Sequence, residues 1–243
     1  MRPPVPKPPF LPAPNERPSL MDRAILLVVD PMCSWCWGFS PVVRAMHEAY
    51  AERAAIYPIV GGLRPLTADP LNDNAKAEIR HHWESVHSAS GQPFDFSFFE
   101  RDGFIYDTEP ACRALVTVRF LEPKSSLDFL NRMHRAFYAE NCDITDKDVL
   151  AELAEAAGVD RAGFLEFFPT RKMIYLTASD FFRSQSMGVS GFPTVILRAN
   201  ENLSLLSAGF RKFEDLKPHL DQWLESEPEQ APVNDKAAET DPL

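Results

Sequence analysis

An apolar run, Ala24 to Val29, ends at Asp30-Pro31, and Cys33-Ser34-Trp35-Cys36 follows almost at once. No other stretch restricts the fold as strongly. Such a short apolar run reads as a strand. Helix-forming sequence starts at the cysteine pair, so the strand delivers two sulfurs to the first turn of a helix. Unpaired backbone N–H groups point at that place, and they favour a charged sulfur there. The thiolate is the reactive form of cysteine. The stretch therefore reads as a redox-active dithiol.

The 243 residues suit one large domain or one domain carrying an insertion, and 45% hydrophobic content with 18 Phe can fill a sizeable core. A formal net charge of −10 argues against nucleic acid and against electrostatic attachment to anionic lipid. Met1 to Pro18 holds eight prolines in place of the apolar segment of a signal peptide. No apolar stretch approaches transmembrane length. The expectation is a soluble cytoplasmic protein. Four cysteines, Cys33, Cys36, Cys112 and Cys142, do not make a disulfide-stapled scaffold.

Composition divides the chain further. Residues 1–20 read as a disordered Pro-rich arm, whose Pro-x-x-Pro patterns (Pro3 to Pro6, Pro6 to Pro9) suit either a solvated tail or a recognition ligand. Residues 225–243 read as a disordered acidic tail. Between them the order is strand, helix from Cys33 to Arg53 kinked at Pro41, and strand from Ala55 to Val60. Pro58 assigns the second strand to a sheet edge. Residues 67–187 then read as mostly helical, with an aromatic connector (Phe94, Phe96, Phe98, Phe99, Phe104, Tyr106) and a helix start at Thr145-x-x-Asp148. Pro193 to Leu197 and Leu203 to Ser207 form an expected hairpin. A last helix follows, with Phe213, Leu216, Leu220 and Trp223 on one face. The predicted class is α/β, a four-stranded mixed sheet (β-α-β plus β-β-α) in the order second, first, third, fourth. A long all-helical insertion separates residues 21–66 from residues 188–224.

This frame, with Cys-x-x-Cys at the first strand-to-helix turn, resembles the thioredoxin fold, and the helical insertion resembles its DsbA branch. Cys33-Ser34-Trp35-Cys36-Trp37-Gly38-Phe39 and Gly61-Gly62-Leu63-Arg64-Pro65 are similar to FrnE-like predicted cytoplasmic protein-disulfide isomerases. Gly191-Phe192-Pro193-Thr194 looks like that family's cis-proline loop. The resemblance implies thiol–disulfide exchange. Cys33 is then the attacking sulfur and Cys36 the resolving one, with Pro193 against the sulfurs and the Phe192 backbone pairing with an extended substrate. Trp35, Trp37 and Phe192 are candidates for an apolar rim, with core packing the other reading of Trp37. The family often has a buried carboxylate six residues before the leading cysteine. That position is Leu27 here, and the nearest acid is Asp30.

The implied partners are protein or small-molecule thiols and disulfides, with glutathione or thioredoxin as reductant. No resident cofactor is expected, glutathione being a co-substrate at most. Two other functions stay open. One is a glutathione-dependent transferase or isomerase of the kappa or chromene-carboxylate isomerase type. The other is a redox-sensing binding protein or chaperone. Cys112, among Ala111, Ala114 and Leu115, reads as a small buried hydrophobe. Arg64 reads as a loop hydrogen-bonder or as a source of positive potential near the thiolate. His81, His82 and His87 lack the spacing that puts two metal ligands on one helical face, so no metal is expected.

Overall fold

A computed structural model describes residues 23–226; the expected arm and nearly all of the acidic tail lie outside them. The sheet holds β1 (Arg23–Val29), β2 (Ala55–Val60), β3 (Thr194–Ala199) and β4 (Asn202–Ala208), in the order β2-β1-β3-β4. β2 runs parallel to β1, whereas β3 and β4 are antiparallel to their neighbours. β1 is an inner strand, as the expected order predicts. Ile25, Leu27 and Val29 face the main core, and Ala24, Leu26 and Val28 face a smaller one with Ile59 and Ile196.

β2 lies at an edge, with Pro58 beside Leu27. The exposed side of such a strand carries unpaired backbone groups. Here helices cover it. The Val60 N–H donates to Asp180 at 3.1 Å, and the Arg119 guanidinium donates to the Pro58 carbonyl at 2.6 Å and to Asp180 at 2.7 Å. The opposite edge is β4, where Leu203 and Leu205 are exposed.

Eight α-helices are described. α1 (Ser34–Tyr50) follows β1 and contains Pro41. Six lie between β2 and β3: α2 (Asp73–Ser90), α3 (Glu109–Leu121), α4 (Ser126–Tyr138), α5 (Lys147–Ala156), α6 (Arg161–Phe167) and α7 (Arg171–Ser186). α8 (Phe213–Glu225) ends the described chain and buries Leu216 and Leu220. The aromatic connector is a 3₁₀ turn at Phe96–Glu100 whose rings surround fully buried Trp83. Phe98 and Phe99 lie 5.1 and 4.8 Å from the Trp83 ring.

One helix start differs from expectation. Asp146, not Thr145, caps α5, its carboxylate accepting from the Asp148 and Val149 N–H groups. The Thr145 hydroxyl instead donates to Asp143 at 2.6 Å. Competition between Asp146 and Thr145 for the same turn decides this, because a carboxylate accepts a charge-assisted bond from backbone N–H.

Candidate active site

The site is the turn between β1 and α1, together with the two loops it touches. Cys33 is the N-cap residue of α1, in extended conformation, and no side chain caps the helix. Its carbonyl accepts from the Cys36 and Trp37 N–H groups at 2.9 and 3.2 Å, while its own N–H is held by the Asp30 carbonyl at 3.0 Å. The sulfur is thus fixed at the positive end of a helix with free N–H groups. Cys36, one turn inward, is 2% exposed, against 6% for Cys33. Burial, the neighbouring Cys33 sulfur and the charge of Asp30 all push the Cys36 thiol well above the ordinary cysteine value. Both cysteines are free thiols.

The second loop comes from far along the chain. Phe192-Pro193 is a cis peptide, and the Cys33 thiol lies 3.6 Å from the Phe192 carbonyl. Phe192 is half-buried and rests on Gly61. A Cβ on Gly61 would stand 1.9 Å from the Phe192 ring, so only glycine permits this approach. Gly62, at φ +73°, sits beside Phe181. Trp35 is half-buried, its ring 5.9 Å from that of Phe210. Trp37 belongs to the core reading. It is 5% exposed, donates to the Pro93 carbonyl at 3.0 Å and stacks on Tyr138.

Asp30 is the residue whose role the sequence left open. It is fully buried, and its carboxylate accepts from the Met32 N–H at 2.8 Å and the Leu63 N–H at 2.6 Å. The Cys112 thiol donates to it at 3.4 Å, and Thr108 contributes a further side-chain bond. Burial raises its pKa, and those hydrogen bonds oppose the rise. Asp30 therefore ties the active-site turn to the Gly61–Leu63 loop and to α3. Cys112 is buried as expected, but it is also a polar partner of this carboxylate. Tyr106 completes the turn by donating to the Met32 carbonyl at 2.7 Å. Among the described residues no salt bridge involves Arg64. Its guanidinium lies over the Tyr106 ring at 5.7 Å, and its backbone pairs with Thr108.

A mixed four-stranded sheet with two thiols at a helix start and a cis-proline loop against them defines the class of thioredoxin-fold dithiol proteins. Within it, the model of the DSBA-like thioredoxin domain matches residues 24–221, and the chain belongs to that family. Among solved structures, a Nitrosomonas europaea protein provisionally described as a protein disulfide isomerase is 37% identical. It superposes with a TM-score of 0.79, covering 83% of this chain and 97% of that one. The cytosolic disulfide reductase DsbM of Pseudomonas aeruginosa shares the fold, at 23% identity and a TM-score of 0.70 over 83% of this chain and 98% of its own. Among curated proteins, the ClpXP adapter protein SpxH of Bacillus subtilis is 27% identical over 90% of this chain and 71% of its own length. SpxH of Halalkalibacterium halodurans is 23% identical over 74% of this chain, which spans 59% of that relative.

Proposed function

We propose that this protein is a thiol–disulfide oxidoreductase or protein-disulfide isomerase acting through Cys33 and Cys36. The observation that carries the reading is the Cys33 sulfur at the start of α1, 3.6 Å from the Phe192 carbonyl at the cis-proline loop. The Cys33 thiolate attacks one sulfur of a substrate disulfide, forming a mixed disulfide and expelling the other substrate sulfur as a thiolate, which takes up a proton. Cys36 then loses its proton and attacks the Cys33 sulfur. The second substrate thiol leaves, and the Cys33–Cys36 disulfide holds the two electrons' worth of oxidation. The same steps run backwards oxidise a dithiol.

An extended substrate pairs with the Phe192 carbonyl, and Trp35 and Phe192 supply an apolar contact. Leu63 and Leu66, 44% and 80% exposed on the loop that Asp30 anchors, extend that surface. A thiol reductant recycles the disulfide. Glutathione is the candidate, since a structure of the DsbM neighbour holds GSH. The protein acts in the cytoplasm on this reading, consistent with that cytosolic neighbour. Among the described residues no helix is long and apolar enough to cross a membrane.

Reduction of a protein disulfide, followed with Cys33→Ser and Cys36→Ser, tests the proposal. Cys33→Ser abolishes exchange, and Cys36→Ser accumulates mixed disulfides that gel electrophoresis without reductant displays. Exchange by the double variant at the wild-type rate would sink it.

The SpxH relatives favour a second reading, a ClpXP adapter. Client binding that survives loss of both sulfurs would favour the adapter. Binding lost together with them would favour the oxidoreductase.

A further inference from the structure

A cavity of about 270 Å³ lies between α1, β1 and α4. Its lining includes Cys36 but neither Cys33 nor Phe192. Burial grades that lining from floor to mouth. Cys36 and His134 are each 2% exposed and lie deepest among its polar residues. Leu27, Phe39 and Leu130 form apolar walls. Arg44, His47 and Lys124 are exposed and stand at the mouth.

Two features of this cavity bear on what it could hold. His134 is buried, and apart from the Asp30 backbone its ring nitrogens have no hydrogen-bond partner among the described residues. An unmet buried polar group is costly and gains from a ligand that pairs with it. Burial holds the imidazole pKa down at about 3 against the opposing pull of the Asp30 carbonyl, which leaves a neutral ring whose other nitrogen is an acceptor. At the mouth, no ion pair among the described residues involves Arg44 or Lys124. The carboxylate there, Asp128, is already taken by Arg132 at 2.7 Å. The mouth therefore presents uncompensated positive charge.

An apolar chamber with a few convergent polar groups is the ordinary form of a small-molecule site. This one is slightly smaller than the range of about 300–1,000 Å³ that suits drug-sized ligands. We propose that the cavity binds a small carboxylate with a compact apolar body and a hydroxyl group at its far end. The body lies against Leu27, Phe39 and Leu130, the far polar group pairs with His134, and the carboxylate meets Arg44 and Lys124. This site goes beyond the thiol-exchange reading and does not rest on it.

Calorimetric titration of the full chain with three matched probes tests the site. Para-hydroxyphenylpropanoate carries all three features, phenylpropanoate lacks the hydroxyl, and tyramine lacks the carboxylate. The first is expected to bind at least tenfold more tightly than phenylpropanoate, and tyramine not measurably. Arg44→Glu and Lys124→Glu, both at exposed positions, weaken the first probe tenfold or more with unchanged thermal melting. His134→Leu brings it to the affinity of phenylpropanoate. Equal binding of the three probes, no saturable binding, or indifference to both charge reversals would overturn the proposal. Repeating the titration with Cys33→Ser separates the two readings, because binding there persists whatever the fate of thiol exchange.

Discussion

At Asp30 one side chain carries three connections that the backbone cannot make. Its oxygens serve the Met32 N–H and the Cys112 thiol in a buried setting and the Leu63 N–H in a part-buried one. Removing the carboxylate leaves the buried Met32 amide unmet, at about 1–3 kcal/mol, and the part-buried Leu63 amide at less. Asp30→Ala is therefore expected to lower stability by roughly 3 kcal/mol in urea unfolding. Cys112→Ala, which leaves the carboxylate its other partners, should cost no more than about 1 kcal/mol. Equal losses would mean that the thiol, not the amides, needs Asp30. Gly61 supports a second prediction at this scale. Gly61→Ala drives a methyl group into the Phe192 ring, so it should slow disulfide exchange and cost about 1–3 kcal/mol as an overpacked site does. Shortening the ring with Phe192→Leu in the same chain should recover the lost stability. If stability is not recovered, the clash lies elsewhere.

Among the elements, those set by local chemistry were legible and those set by distant partners were not. The apolar run of β1, the cysteine pair at the start of α1 and the edge position forced by Pro58 each follow from a few neighbouring residues. They suffice for the sheet order. The Asp30 cluster does not follow that way, because Leu63 and Cys112 lie 33 and 82 residues from Asp30 and meet it only once α3 has packed. Cys112 looks like a small apolar residue from its helix alone. His134 had a readable signal that went unused. It falls four residues after Leu130 and four before Tyr138, on the buried stripe of α4. Thr145-x-x-Asp148 has the spacing of a helix start, but Asp146 stands one residue later with a stronger acceptor. The two caps separate experimentally. Asp146→Ala should destabilise by about 1 kcal/mol, and Thr145→Ala by a few tenths, in parallel urea titrations. The reverse order would return the cap to Thr145.

For the whole molecule, His134 couples the packing of α4 against α1 to pH. Free histidine titrates near 6.5, and burial lowers this one to about 3. Between those values the unfolded chain binds a proton that the folded chain does not. Stability from this group is therefore complete above about pH 6.5 and falls as the solution is acidified, by about 1.4 kcal/mol per unit. Asp30 works in the opposite sense. Its raised value lets the folded chain keep a proton that the unfolded one releases, a contribution present in acid and lost as pH rises through its folded value. The two groups share the acid range, so the wild-type profile alone does not isolate either. Subtracting it from that of His134→Leu does, because Asp30 is common to both chains. From pH 6.5 to 4.5 the unfolding free energy of the variant should gain about 2–3 kcal/mol relative to wild type. A difference that stays constant over that interval would show that the imidazole is solvated and titrates in the folded protein as it does in water. The α1–α4 cavity would then be open to water down to His134, and its deep polar group would already be satisfied without a ligand.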